Sequence, residues 1–347
     1  MMKRKMWLSL TLSALLVTAV GCGDKPEGGG TTQTGSGGDA EKKSYSIAIS
    51  QIVEHPSLDA TREGILAALK DAGISEDDKT LKIDYNNAQG DPANNLSIGQ
   101  KLKDTKADLV IAIATDSAQA VAQNVKEKPV LFAAVTDPLD AKLVSDLKKP
   151  GGNITGASDT NPEATKQLMN FVNTHFPNVK RIGLVLDEGE ANAVVMANTA
   201  EEVLSEHGIE LVKAAVTNTS EVKQAAESLV GKVDAFYITL DNTVVSGVET
   251  IIQTAQKNKI PFFSSDRDTV EKGAFATVGF KYYDHGYQVG QMAVEILKNG
   301  KNPADMEITK PDKLDLILNT KAAAEYGIEV TDAMKQEVKD PDNNIIE

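Results

Sequence analysis

Cysteine, tryptophan and histidine are the scarce residues of this 347-residue chain, which has one, one and four of them. A single cysteine permits no intramolecular disulfide, so the folded part must be held by its core. His55, His175, His207 and His285 are spread too widely for metal-ligand spacing. There is no Cys nucleophile, no G-x-S-x-G elbow and no Walker A loop. No G-x-G-x-x-G follows the first strand; its loop reads Gln51-Ile52-Val53-Glu54-His55-Pro56. Asp266 and Asp268 stand where a cation loop could begin but lack its glycine and distal glutamate. Basic residues are also in deficit, 36 Lys and Arg against 50 Asp and Glu for a net charge of −14. Such a surface argues against nucleic acid and against adsorption on anionic lipid.

What is present is an ordinary globular composition, 41% hydrophobic and 25% charged, long enough for two domains with sizeable cores. Before the core begins, Lys3-Arg4-Lys5 and the apolar stretch from Met6 to Val20 read as a targeting segment, too short for a comfortable membrane span. The stretch ends in Ala19-Val20-Gly21-Cys22, which resembles the bacterial lipobox, with Ala19 in place of the usual leucine. That resemblance implies a lipidated Cys22 as the mature N-terminus, after a signal peptide over residues 1–22. Residues 23–44 are polar and rich in Gly, Ser and Thr, and are expected to form a disordered tether with a span of about 25 Å. The only tryptophan, Trp7, falls in the leader.

From Tyr45 onward strands and helices alternate. Strands are expected at residues 46–50, 81–85, 109–114, 130–135 and 153–156, with helices at 58–72 and 92–103 and another between the third and fourth strands. The pattern then restarts. Asn161-Pro162 caps a helix, and strands follow at 181–186, 210–215, 235–240, 261–264, 275–279 and 314–318, with helices at 191–207, 220–231, 244–257 and 285–297. The fold class is α/β, with two doubly wound parallel-sheet lobes.

Six strand exits carry a small polar or acidic signature: Thr115-Asp116-Ser117, Thr136-Asp137, Ser158-Asp159, Asp187-Glu188, Asp241-Asn242-Thr243 and Ser265-Asp266. In a parallel sheet these ends share one edge, where ligands of open α/β folds bind. An Asp or Asn at a strand end is equally suited to N-cap the next helix, so every one of the six could be a cap.

Several segments make the chain resemble the substrate-binding lipoproteins of ABC transporters, of the tryptophan or aromatic-amino-acid type. They are Gln51 to Pro56 with Leu58-Asp59-Ala60, Asn87-Ala88-Gln89-Gly90-Asp91, Ala114-Thr115 with Ala118-Gln119-Ala120, and Phe132 to Pro138. The later ones are Asn153 to Gly156, Asp241 to Val244, and Gly273 to Gly279 with Tyr282-Tyr283. The resemblance covers about residues 45–330. Departures stand at Asp116, where the family often has proline, at Ala193, where a serine hydroxyl is lost, and at Lys281, commonly acidic.

The resemblance implies a type I periplasmic-binding fold, with lobes of residues 45–157 plus 281–307 and 158–280 plus 308–347. A multi-strand hinge would cross near Ser158, Phe280 and Ile308. It implies a monomer that captures a small ligand, delivers it to an ABC permease, is anchored to the membrane by lipid on the extracytoplasmic face, and uses no cofactor or metal. The candidate ligand-binding set is Gln51, Ile52, His55, Thr115, Asp116, Ser117, Thr136, Asp137, Ser158, Asp159, Asp187, Asn192, Asp241, Asn242, Thr243, Asp266, Phe280 and Tyr282. For an amino acid, Thr115, Ser117 and Thr136 suit the carboxylate. Asp241, with Asp187 as fallback, suits the ammonium, and Ile52, Phe280 and Tyr282 suit an aromatic side chain. Receptors for a sugar, a nucleoside or another amino acid share the architecture. A two-lobed surface enzyme such as a racemase would need paired bases, and a transcription factor's effector domain would need a helix-turn-helix partner.

Overall fold

Continuous apolar runs in the first block become strands buried on both faces. The computed structural model describes residues 43–347; the leader, Cys22 and nearly all of the tether lie outside the described residues. The block supplies β1 (Tyr45–Gln51), α1 (Pro56–Asp71), β2 (Leu81–Asn87), α2 (Pro92–Leu102), β3 (Leu109–Ile113), α3 (Thr115–Asn124), β4 (Val130–Val135) and β5 (Ile154–Ser158). These form an all-parallel sheet of order β2-β1-β3-β4-β5. In β3 the period of two sends Leu109, Ile111 and Ile113 into one core and Val110 and Ala112 into the other. Burial of each Leu or Ile is worth about 1.5–3 kcal/mol.

The second block supplies α4 (Pro162–His175), β6 (Arg181–Asp187), α5 (Ala191–Glu206), β7 (Glu210–Val216), α6 (Val222–Leu229), β8 (Ala235–Ile238), α7 (Asn242–Ser246) and α8 (Val248–Asn258). It continues with β9 (Phe262–Ser264), α9 (Arg267–Lys272) and β10 (Ala276–Gly279). The chain then runs through α10 (Tyr282–Asn299), β11 (Asp315–Asn319), α11 (Thr320–Tyr326), α12 (Asp332–Gln336), α13 (Pro341–Asn344) and β12 (Ile345–Ile346). The second sheet has the order β12-β11-β10-β9-β8-β6-β7. One pairing departs from the parallel expectation: β10 and β11 are antiparallel. The reason is connectivity. β10 leaves its sheet for the other lobe, and the chain re-enters from that side, so β11 must run the opposite way. The helix expected at 244–257 is two helices, α7 and α8, meeting at Gly247, and α9 and the elements after β11 carry no strong sequence signal.

The chain passes between the sheets three times: after Ser158, after Gly279, and between Asn299 and Asp315. The first and third passages lie side by side, since Ser158 N–H donates to the Thr309 carbonyl and Thr309 N–H to that of Gly156. Helix α10 packs with the first sheet, sharing its core through Val289, Ala293 and Ile296. It lies directly against α1: a Cβ on Gly286 would stand 2.0 Å from the Thr61 carbonyl oxygen, and one on Gly64 would stand 2.1 Å from that of Tyr283. No helix among the described residues is long and apolar enough to cross a membrane.

Candidate functional site

The carboxyl ends of β1, β3, β4 and β5 face those of β6, β8 and β9. Between them lies a narrow cavity walled by His55, Ser57, Thr115, Thr136, Asp159, Asn192, Asn242, Asp266 and Tyr282, with Leu58, Ala134, Leu240 and Val245. Two backbone features shape the first-lobe wall. Ala114, which precedes α3, holds φ 77° and ψ 159°, a region favoured by glycine. Ala134 holds φ 53° where the pairing of β4 with β5 slips between Phe132 and Val135. Such conformations cost about 1–3 kcal/mol each and persist where the surroundings enforce them. The slip turns the Ala134 N–H onto His285 Nε2 at 3.0 Å. His285 is therefore an acceptor, and burial pushes its pKa down to about 4.

Hydrogen bonds fix the orientation of the polar wall. Glu190 is buried and accepts from Asn242 N–H at 2.9 Å, Asn242 Nδ2 at 2.8 Å, Asn192 Nδ2 at 3.0 Å and Thr243 N–H at 2.8 Å. Asn192 Nδ2 also donates to the Leu240 carbonyl at 2.8 Å. Both amides are thereby oriented, with each Oδ1 turned away from Glu190. Asn242 Oδ1 receives His55 Nε2 across the cleft at 3.2 Å. Since Asn242 Oδ1 can only accept, the proton resides on Nε2 and His55 Nδ1 presents a lone pair. Burial pushes the His55 pKa down. Tyr282 donates its hydroxyl to Asp159 Oδ2 at 3.1 Å.

Four buried polar atoms of this wall have no hydrogen-bond partner: His55 Nδ1, Asp159 Oδ1, Asn192 Oδ1 and Thr115 Oγ1. Buried polar groups are nearly always paired, so four at one cleft is a strong concentration. Three are acceptors and the fourth is a hydroxyl at the start of α3, a helix with no side-chain N-cap. Burial pushes the Asp159 pKa up to about 6, partly offset by the hydroxyls of Tyr282 and the nearby Thr136. A second small cavity continues past Asp159 and Leu240 and is lined by apolar Leu168, Met196, Val278, Phe280 and Leu314, with Thr165 and Ser265 among its polar groups.

The structure sorts the candidate residues. His55, Thr115, Thr136, Asp159, Asn192, Asn242, Asp266 and Tyr282 meet at the first cavity, Phe280 lines the second, and Asp137 and Ser158 line a neighbouring surface pocket. Asp241 does not reach the cavity. Its Oδ1 accepts from Val244 N–H at 2.9 Å as the N-cap of α7, and its Oδ2 from Asp187 N–H at 2.7 Å. Both oxygens of Asp241, the residue expected to meet an ammonium, are thus committed to backbone donors. Asp187, the fallback, accepts from Gly189 N–H at 2.9 Å, closing a turn. Gln51 braces its own loop through Val53, Asp59 and Arg62. Ile52 is in the first-lobe core. Ser117 donates to Asn95. Thr243 donates its N–H to Glu190, and its carbonyl accepts from the Thr219 hydroxyl.

Asp116 stands beside the cavity rather than in it. Its carboxyl is pushed up to about 6 by burial and by the nearby Glu190 and Asp187. Asp266 both caps α9, accepting from Asp268 N–H at 3.0 Å, and receives Ser57 Oγ from the other lobe at 2.9 Å. Sequence reasoning missed Glu190 as the organiser of the second-lobe wall, Ser57, and the helix-borne lining of the second cavity. The spacing Glu190-x-Asn192 was the available signal for the first of these. No cluster of three or more metal-ligating residues occurs among the described residues.

Similarity to known proteins bears directly on this geometry. Residues 46–340 match the family described as ABC transporter substrate binding protein. A protein of Clostridioides difficile named tyrosine-binding protein is 37% identical over 319 residues, covering 92% of this chain and 91% of its own length. An ABC domain from Streptococcus pneumoniae solved in complex with L-Trp is 34% identical with a TM-score of 0.81, covering 88% of this chain and 100% of the other. A ligand-free, open substrate-binding protein with adhesive properties from Clostridium difficile is 37% identical but reaches a TM-score of only 0.64, covering 87% and 98%. The better superposition on the complex, together with the hydrogen bonds that join the lobes at His55 and Ser57, marks this arrangement as the closed one. A two-lobed type I periplasmic-binding fold closed over a polar cleft, matched along nearly its whole folded length, places the chain in the family of ABC transporter substrate-binding proteins.

Proposed function

We propose that the protein binds one free aromatic amino acid, of the tyrosine or tryptophan kind, between its lobes and presents the closed complex to an ABC permease. The observation that carries this reading is the convergence of His55 Nδ1, Asp159 Oδ1 and Asn192 Oδ1, three unpartnered buried acceptors that match the three N–H bonds of a primary ammonium. Thr115 Oγ1 and the uncapped first turn of α3 suit the carboxylate. The second cavity offers aliphatic and aromatic surface to a ring, with the hydroxyls of Thr165 and Ser265 available to a phenol or an indole N–H. The names of the two relatives, one tyrosine-binding and one holding L-Trp, support the same class.

The mechanism is capture by closure. The cavity is lined by residues of both lobes, so ligand must enter an open form. A ligand bridging Thr115 on one lobe and Asn192 on the other adds contacts that only the closed form has, and so shifts the population toward it. The work is binding, not turnover, by a monomer tethered outside the cytoplasmic membrane through a lipid on Cys22.

Calorimetric titration tests the ligand class. Tyrosine, tryptophan or phenylalanine should give saturable heat and ribose or glucose none; the reverse result removes the reading. Residues 43–347 contain no tryptophan, so added L-tryptophan is the only indole and its emission should shift to the blue on burial. Replacement Cys22→Ala in cells should move the protein from the membrane fraction to the soluble one.

A further inference from the structure

The far end of the second cavity is closed by very little protein. Gly279, Phe280 and Leu314 line that cavity, and the same three residues also line an open groove of about 880 Å³ on the hinge side of the molecule. They come from two of the three passages between lobes: Gly279 and Phe280 from the segment leading into α10, and Leu314 from the segment leading into β11. The Phe280 ring is braced by Tyr282, with centroids 5.0 Å apart, and by His285 at 5.7 Å. It is only half-buried, whereas Leu314 is buried. The groove beyond carries Lys281, Asp284 and Lys313, so a group emerging there would meet water and charge instead of a sealed core.

We infer that Phe280, seconded by Leu314, is the specificity-determining wall that limits how long a ligand side chain can be. The inference rests on the amino-acid reading above, with the ring in the second cavity. A side chain the length of tyrosine ends against the wall. One extended from the para position must push through it into the groove. Removing the Phe280 ring joins cavity and groove into a channel, and the extended ligand gains a path that costs no buried polar group. Phe280 makes no hydrogen bond to the ammonium or carboxylate partners; its ring touches them only through Tyr282, which holds Asp159, so the effect of cutting the wall is read as a ratio of two ligands that share the same ammonium and carboxylate.

The test titrates L-tyrosine and O-benzyl-L-tyrosine into the wild-type protein and into Phe280→Ala and Leu314→Ala, with thermal melts to confirm folding. Wild type should bind tyrosine and bind the benzyl ether at least about a hundredfold more weakly, a discrimination within reach of a shaped pocket. Phe280→Ala should raise the ratio of benzyl-ether to tyrosine affinity at least about tenfold, and Leu314→Ala should raise it less. Wild type binding both ligands alike, or ratios unchanged in both variants while tyrosine still binds, overturns the wall. Should Phe280→Ala not fold, Phe280→Leu and Leu314→Ala decide in the same way. Failure of wild type to bind tyrosine at all is a different result: it removes the amino-acid reading, and the wall with it.

Discussion

Asp159 and Asp241 are both buried carboxylates at strand exits, and in sequence they carry the same signature. Their surroundings differ. Asp241 spends both oxygens on backbone N–H groups and holds the start of α7 to the end of β6. Asp159 has one oxygen on the Tyr282 hydroxyl and the other unpartnered at the cavity. A carboxylate saturated by backbone donors is a fastener, and one left half-satisfied in a cleft is available to a ligand. The contrast also divides the two lobes. The second lobe commits Asp241 to a cap and Glu190 to orienting amides, while Asp159 at the hinge leaves one oxygen unpartnered at the cavity.

The largest test of this contrast is Asp159→Asn, which keeps the shape and the acceptor for Tyr282 but removes the charge. Amino-acid affinity should fall about 100-fold or more, as expected for loss of a buried charge-assisted contact, while the melting temperature of the ligand-free protein holds or rises. Asp241→Ala should do the opposite. Two backbone donors lose their partner, so unfolding free energy should drop by about 2 kcal/mol in denaturant titration, and affinity should change by less than about threefold. A large affinity loss in a stably folded Asp241→Ala would return the ammonium to that residue.

Acidity separates the two residues next. The Asp159 carboxyl is pushed up from 3.8 to about 6 without ligand, and an ammonium needs it ionised. Affinity should therefore fall as pH drops below about 6, by up to about tenfold per unit, and level off above it. For the ligand-free protein the sign is reversed. Between 3.8 and about 6 the folded form holds the proton more tightly than the unfolded form, so this group's contribution to stability is lost as pH rises through that window. Asp159→Asn should remove the dependence of affinity and this group's share of the dependence of stability, leaving the share of Asp116; a pH profile of affinity unchanged by that substitution would exclude Asp159 as its source.

The smallest effect should come from Ser57→Ala, which removes the hydroxyl that reaches Asp266 across the cleft. Ligand should dissociate about threefold faster, with little change in stability, because one neutral-to-charged hydrogen bond of the closed form is lost. Stopped-flow release that is no faster would show that Ser57 does not hold the lobes together.

Much of this molecule was legible in its sequence, for identifiable reasons. Apolar runs such as Leu109–Ile113 and Val130–Val135 can be little else than strands buried on both faces. Thr115, His55 and Asn192 were within reach because strand exits and the resemblance pointed at the same edge. The commitment of both Asp241 oxygens to backbone N–H groups was not, because an N-cap and a ligand-binding acid require the same residue at the same place. Thr165, Leu168 and Met196 were invisible for another reason: on α4 and α5 their spacing is that of any helix facing a core. The antiparallel β11 follows from where the chain re-enters its sheet, which no local pattern records. Asp116 is accounted for in part, as a third carboxyl near Glu190 and Asp187, and nothing in the structure explains why it replaces proline.

The glycine contact between α1 and α10 has a mechanical consequence. With backbone touching backbone at Gly64, Gly286 and Gly290, the two helices have no side-chain layer between them to shear. His55 and Ser57 stand at the head of one, and Tyr282 opens the other. The pair thus acts as a single lever whose tip carries residues from sequence positions more than two hundred apart. A load placed on that tip by a bound solute should reach both shafts together, so that amides along α1 and α10 slow their hydrogen exchange in step.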